Sequence, residues 1–374
     1  METCDVLVVG GGPAGSSCAR RLVSVGLNVI ILDKSDFPRD KVCAGWITPA
    51  VVDELAIDLD EYRQQHVCLD IRAFRTGLME GPYLLNKYDR TISYGIRRCE
   101  FDHYLLKRSG ANLRLNEPLK QLKRFDNYWV INDSIKASML VGAGGHFCPV
   151  ARYLGARIGK VERSVAAQEI EFEMTAKQAS TYCKDADTPE LFFYPDLSGY
   201  GWLFRKGNFL NIGVGREDSE KVSQSTLQFI ELLKQRGKIP KNIQIKPKGH
   251  AYLLYNHAFR KLLDDGVLLI GDSAGLAYSE SGEGIRPAIE SGLIAAEVIL
   301  NANGDYRKNK LQPYYEQIIK HFGEKNEQHI WLTGNLKRVL AKRVLANRFL
   351  SRHILLDRFF LHSNESPMLF DKVT

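Results

Sequence analysis

The chain has 374 residues, 44% of them apolar, which is long enough for about two domains and a large core. No run approaches the ~18 apolar residues of a membrane span, and no recognition motif accompanies the net charge of +7, so neither a transmembrane protein nor a nucleic-acid binder is expected. The seven cysteines include no C-x-x-C pair, so a zinc or iron–sulfur site is not expected, and their odd number suits a reducing compartment.

Asp5 to Val9 reads as a buried strand. It runs into Gly10-Gly11-Gly12-Pro13-Ala14-Gly15, a G-x-G-x-x-G turn with Gly10, Gly12 and Gly15 in the three glycine positions. A small-residue helix is predicted over 16–25, closed by Gly26, and a second apolar strand over 28–32 ends on Asp33, followed by Lys34. The spacing predicts a βαβ unit that binds a dinucleotide. Gly10 turns the chain, Gly12 lets backbone approach a pyrophosphate, and Gly15 lets helix and strand pack closely. Asp33 stands where a carboxylate accepts hydrogen bonds from an adenosine ribose. The motif alone does not choose between NAD and FAD.

Residues 1–10 carry no basic segment followed by an apolar one, so no secretory signal is expected. A cytoplasmic location is, at most peripheral to a membrane.

A companion lies far along the chain. Val267 to Ile270 is a third buried strand that delivers Gly271-Asp272, and Gly282-Glu283-Gly284-Ile285 then opens a helix with a small-residue face. A carboxylate at Asp272 suits a ribityl hydroxyl, and a helix start at Gly284 suits the pyrimidine end of a flavin. NAD needs no such second element, whereas FAD does. No second G-x-G-x-x-G follows a strand: Gly142 to Gly145 is expected to open no helix, with Pro149 interrupting it. Reduction by transiently bound NAD(P)H or by a separate electron-donor protein is therefore expected.

Gly-Asp-x-Ala-Gly at 271–275, Gly-Glu-Gly-Ile at 282–285 and the Ser-Gly-x-x-Ala-Ala helix resemble the geranylgeranyl reductase family, within the p-hydroxybenzoate hydroxylase type of flavoproteins. Phe37-Pro38-Arg39 and Lys41-Val42-Cys43 match that family's F-P-R-x-K-x-C-G-G stretch, with Ala44 in place of its first glycine. The segment from Tyr94 to Asp102, with Arg98 before Phe101-Asp102, also fits. So does Pro195 with Tyr200-Gly201-Trp202-Leu203-Phe204, similar to P-x-x-Y-x-W-x-F-P. The likeness covers roughly residues 1–300. Gly144 replaces the usual Asp, Arg205 the usual Pro, and Ser279 a Pro before the flavin loop.

The resemblance implies an α/β fold, α+β overall. A Rossmann-like FAD domain (1–70, 91–158, 255–305) is expected to be interleaved with an antiparallel-sheet substrate domain (71–90, 159–254), and 306–374 is expected to be helical. Non-covalent FAD is expected on Gly10, Gly12, Pro13, Ala14, Gly15, Asp33, Lys34, Arg39, Arg98, Gly271, Asp272, Gly282, Gly284 and Ile285. Cys43 is the candidate reactive side chain, because Lys41 and an expected helix start favour its thiolate. A small buried thiol is the plain alternative. Tyr200 and Trp202 are expected to line an apolar substrate cavity, or to be ordinary sheet core. His146 is either near the ring or structural.

Two activities stay open. One is reduction of C=C bonds in a polyprenyl chain; the other is monooxygenation or halogenation of an aromatic, free or peptide-borne. In the last quarter, Lys337, Arg338, Lys342, Arg343, Arg348, Arg352 and Arg358 alternate with Trp331, Leu340, Leu345, Phe349, Phe359 and Phe360 at helical spacing. That face either packs on the body with its charges solvated or rests on an anionic membrane or acidic partner.

Overall fold

The computed structural model describes residues 1–159, 162–244, 246–325 and 334–369, with side chains in the last stretch from residue 338 onward. Trp331 and the side chain of Lys337 lie outside the described residues.

The opening apolar run forms strand Glu2–Val9, flanked in parallel by Val29–Leu32 and Ile135–Gly142. The sheet extends to Asn112–Arg114 on one side and Val267–Leu269 on the other, both parallel. Two hairpin strands, Leu122–Phe125 and Tyr128–Ile131, add antiparallel at its side, and Leu263–Asp264 closes an edge antiparallel, giving eight strands. The central strands read as continuous apolar segments because helices cover them. Helix Lys308–Phe322 buries Leu311, Tyr314 and Ile318 in the same core, and the Tyr314 hydroxyl donates to Leu269 O at 2.7 Å.

The first helix, Pro13–Ser24, begins three residues earlier than the sequence suggests. Gly12 is its N-cap and Pro13 occupies the first turn, where a missing N–H costs nothing. Pro149 behaves likewise. It was expected to interrupt a helix, and it opens the short helix Pro149–Tyr153 instead.

A second sheet of seven strands runs Lys248–Tyr252, Val165–Glu173, Phe209–Arg216, Gly199–Lys206, Glu190–Phe193, Ala73–Leu78, Tyr83–Lys87. All its pairs are antiparallel except Glu190–Phe193 with Ala73–Leu78, which is parallel. Along Gly199–Lys206 the faces alternate. Tyr200, Trp202 and Phe204 join one aromatic cluster, while Gly201 and Leu203 meet helix Val222–Gln235 on the other side. A three-stranded antiparallel sheet, Trp46–Ile47, Ser93–Ile96, Cys68–Ile71, joins the two.

The basic C-terminal stretch is not one helix. Helix Gly334–Ala346 ends before Asn347, whose side chain accepts from Leu350 N–H, and Ser351–Phe360 continues as a π-helical segment. Leu356 and Phe360 bury into the aromatic cluster, whereas Phe349 is 68% exposed. The stretch thus packs on the body and also presents apolar surface beside Arg338, Lys342 and Arg348, all exposed.

The two large helices of the first layer meet through glycines. A Cβ on Gly292 of helix Ile285–Asn301 would lie 2.4 Å from Ala14 O. Gly292→Ala is expected to cost about 1–3 kcal/mol by overpacking, read as a lower urea midpoint. An unchanged midpoint would show that the helices separate freely.

Candidate functional site

A cavity of about 470 Å³ runs from the glycine turn to the aromatic face of the second sheet. At one end it is lined by Gly10, Gly12, Pro13 and Ala14, with Asp33 and Lys34 at the tip of the second strand. The first helix points its free N–H groups here, with no acidic residue in its first turn. Gly15 does not line the cavity. A Cβ there would strike Gly10 O at 2.0 Å, so its absence is what lets the helix close on the strand. Asp33 braces the turn: Oδ2 accepts from Gly11 N–H at 2.8 Å and Oδ1 from Ser35 N–H at 2.9 Å. The Arg39 guanidinium reaches over Gly12, with Nη2 at 3.4 Å from where a Cβ would stand, and Nη1 is 3.4 Å from Asp102 Oδ2.

Arg98 also lines the cavity, but it is committed to a buried pair. Its Nε and Nη2 donate to the two Asp102 oxygens at 2.9 and 3.0 Å. Burial opposes its charge, and Asp102 with the Cys43 thiol more than restores it.

Midway, Asp272, Gly282, Gly284 and Ile285 form the wall. Gly284 is the N-cap of helix Ile285–Asn301 and leaves open the space 3.4 Å from Asp272 Oδ1. Gly271 faces away from the cavity and packs on Ala14 and Ala288. Burial alone would raise the Asp272 carboxyl, but His250 and Lys41 hold it well below the usual carboxylate range. Their atoms lie 3.6 and 3.8 Å from Oδ2, and Lys41 Nζ is 2.7 Å from His250 Nε2. Burial lowers Lys41, and burial and Lys41 lower His250. Lys41 therefore serves Asp272 and His250, and the cation at the Cys43 thiol is Arg98 instead. His250 and Tyr252 were not singled out from sequence; their two-residue spacing on strand Lys248–Tyr252 was the available signal. His146 also lines the cavity. It is 2% exposed, with burial and Arg260 pushing its imidazole down to about 4.

Cys43 stands in a loop before strand Trp46–Ile47, not at a helix start. A buried polar cluster holds this loop. Cys43 N–H donates to Glu169 Oε2, and Cys43 O accepts from Asn211 Nδ2 at 3.3 Å. Beneath them, Lys206 Nζ donates to Glu171 Oε2 at 2.9 Å. Burial raises the Glu169 carboxyl to about 7.

Tyr200 and Trp202 line the far end with Trp46. The Tyr200 hydroxyl donates to Ser281 O at 2.7 Å, and Trp202 Nε1 donates to Asn211 Oδ1 at 2.6 Å. Their polar atoms are thus engaged with protein, leaving ring carbon as the surface they offer the cavity.

These residues fit FAD. The turn and its helix start suit a pyrophosphate, and the second helix start at Gly284 supplies the element a nicotinamide dinucleotide does not require. Residues 5–89 match the FAD dependent oxidoreductase family, DAO. The chain is 28% identical over 351 residues to digeranylgeranylglycerophospholipid reductase 3 of Methanosphaera stadtmanae, covering 88% of this chain and 86% of that protein. This chain is an FAD-dependent oxidoreductase. The oxidoreductase resembles the geranylgeranyl reductases in motif order and in these relatives. Its fold is similar to the geranylgeranyl bacteriochlorophyll reductase-like protein of Thermoplasma acidophilum, with TM-score 0.73, 22% identity, all of this chain covered and 95% of that one. It is also similar to halogenase PltM, with TM-score 0.68, 16% identity, and 96% and 85% covered, a likeness of fold alone.

Asp33→Ala is expected to weaken FAD binding by about 1–3 kcal/mol, measured by fluorescence titration of the apo-protein, because a charged acceptor is lost from both ligand and turn. An unchanged dissociation constant would place the ribose elsewhere. Glu169 gives a pH signature. Its folded carboxyl, raised from 4.5 to about 7, keeps a proton that the unfolded chain has released. Its contribution is therefore a loss of stability as pH rises from about 4.5 to about 7. Glu169→Gln should flatten the fall in urea midpoint of the apo-protein across that window; an unaltered slope would refute the assignment.

Proposed function

We propose that this oxidoreductase saturates C=C bonds of a polyprenyl or similar apolar chain, using electrons supplied from outside by NAD(P)H or by a donor protein. The supporting observation is the aromatic end of the cavity, where Tyr200 and Trp202 have their polar atoms engaged by protein and offer carbon surface. Such a wall accepts an alkene chain with little desolvation cost. The relatives named digeranylgeranylglycerophospholipid reductases, matched over most of their length, support the same substrate class.

In this reading FAD, bound non-covalently, supplies hydride transfer to carbon. Gly10, Gly12, Pro13 and Ala14 offer backbone to its pyrophosphate, with Arg39 alongside. Asp33 and Lys34 hold the adenosine ribose. Asp272 accepts from the ribityl chain, while Gly282, Gly284 and Ile285 present helix-start N–H groups to the pyrimidine. Arg98 keeps the Cys43 loop and its thiol in place. Burial raises the neighbouring Glu283 carboxyl to about 7, so it stays largely uncharged below neutral pH and leaves the positive end of the helix uncancelled.

The exposed Phe349 and Leu340, interleaved with Arg338, Lys342 and Arg348, support peripheral contact with an anionic bilayer on the cytoplasmic side. No helix among the described residues is long and apolar enough to cross a membrane.

The test is anaerobic. Denaturing the purified protein should release free FAD. The chemically reduced enzyme mixed with a geranylgeranyl lipid should reoxidise while the lipid gains two hydrogens for each bond reduced, read by mass spectrometry. If the lipid is untouched and, once oxygen is admitted, an aromatic compound instead accelerates oxygen consumption with its own oxygenation or halogenation, the reductase reading fails and the monooxygenase or halogenase reading stands. Cys43→Ala should lower lipid turnover at least ~10-fold, about 1.4 kcal/mol, with FAD content unchanged. Cys18→Ala is the control, since Cys18 is fully buried on the first helix and should alter stability alone. Full activity in Cys43→Ala would reduce the thiol to packing.

A further inference from the structure

The turn that follows strand Ile135–Gly142 is wedged between two parts of the cavity wall. On one side it touches the glycine turn, where a Cβ on Gly10 would stand 2.3 Å from Ala143 O. On the other, Ser273 Oγ donates to Gly145 O at 3.3 Å, one residue beyond Asp272. Gly145 holds φ at +76°, a left-handed conformation that favours glycine. Ala143, Gly144 and Gly145 all line the cavity, and none has a polar side chain. The polar side chain of this turn is His146.

His146 is 2% exposed and lines the same cavity. Its two ring nitrogens have different surroundings. Nδ1 lies 3.3 Å from Arg260 Nη2, which also donates to His146 O at 3.0 Å. Arg260 is itself fixed. Its Nε and Nη2 donate to the two Glu162 oxygens at 2.6 and 2.7 Å, and Nη1 donates to Ser273 O at 2.9 Å. A guanidinium has donors only, so Nδ1 must accept, and the neutral imidazole keeps its hydrogen on Nε2. A second proton would set Nδ1–H against the guanidinium. Burial and that repulsion push the imidazole down to about 4, with His250 adding to them and Glu162 and Asp272 opposing. Nε2 hydrogen-bonds to none of the described residues, yet unlike Trp46 Nε1 it keeps accessible surface.

We propose that His146 binds the cofactor as a neutral donor, its Nε2–H bonding an acceptor oxygen on the bridge of FAD, either a phosphate or a ribityl oxygen. Its place selects the bridge. The turn lies between the glycine turn, which suits a pyrophosphate, and Asp272, which suits a ribityl chain. A nearly buried N–H without a protein partner is costly, and an oxygen of the cofactor removes that cost. Arg260 does not line the cavity. It acts through His146 as a positioning residue that sets the tautomer. The inference rests on FAD as the cofactor and not on the reaction proposed for it.

Fluorescence titration of the full-length apo-protein with FAD tests it. His146→Leu, similar in bulk but without a donor, should weaken binding at least ~10-fold, and His146→Gln, whose amide reaches the Nε2 position, should stay within ~3-fold of the unaltered protein. The ratio of the His146→Gln and unaltered dissociation constants should stay constant from about pH 5.5 to about pH 8. An ordinary imidazole would gain charge across that window and hold the anionic bridge more tightly as pH falls. Competition by ADP tells the two oxygens apart. Weaker ADP binding to His146→Leu assigns the contact to phosphate; unchanged ADP binding beside weakened FAD binding assigns it to the ribityl chain. The proton spectrum of the FAD-loaded protein should show a downfield Nε2–H resonance that His146→Gln lacks, and this decides even where His146→Leu fails to fold. Unchanged FAD affinity in His146→Leu, an equal loss in both variants, a ratio that varies with pH, or no such resonance, would overturn the proposal. Failure of the unaltered protein to bind FAD would overturn the cofactor assignment itself.

Discussion

Everything at the glycine-turn end of the cavity depends on two helices approaching at backbone distance. Helix Pro13–Ser24 closes on its own strand because Gly15 leaves Gly10 O unobstructed, and helix Ile285–Asn301 closes on it because Gly292 leaves Ala14 O unobstructed. A side chain at either glycine would meet a carbonyl oxygen well inside van der Waals contact. These helices are far apart in the chain, and each points its N-terminus into one cavity. The partial positive charge of a helix start is spent within its first turn, so each start acts on the part of the cavity it faces.

The Cys43 end of the cavity is built differently. It rests on charge rather than on close backbone. Glu169, Glu171, Lys206 and Asn211 come from adjacent strands of the second sheet and hold the Cys43 loop through its own N–H and C=O. Lys206 is fully buried, so its charge demands Glu171, and Glu171 in turn draws Asn211 and Arg97. A network with so few free partners positions the loop firmly, because each lost contact strands a buried polar atom. The loop carrying Cys43 thus follows the first sheet in sequence and takes its support from the second.

The C-terminal stretch completes the aromatic wall. Phe360 lies 5.4 Å from the Tyr200 ring and 6.2 Å from Trp46, ring to ring, so the residues that line the cavity are themselves backed by the segment Ser351–Phe360. Its other side shows Phe349 and basic residues to solvent. One segment therefore links the cavity's apolar end with the surface best suited to a lipid.

The local structure of the glycine-turn half was legible in sequence because it obeys local rules. A glycine turn between an apolar strand and a small-residue helix admits few structures, and Asp33 and Asp272 each end a strand at a fixed offset. The aromatic alternation at Tyr200 and Trp202 likewise fixed which face they share. The first helix starts at Pro13, inside the glycine turn rather than after it, and Pro149 opens a helix rather than interrupting one, because at a first turn proline loses no hydrogen bond. Lys41 and Arg98 show what sequence withheld. Lys41 lies two residues from Cys43, yet it pairs with His250 and Asp272, more than 200 positions away, and the cation at the thiol is Arg98. Short-range spacing determines which groups a segment can present. Which of two nearby cations meets a thiol, and which buried carboxylate keeps its proton, is decided by burial and by partners from other strands, and those exist only once the sheets have come together.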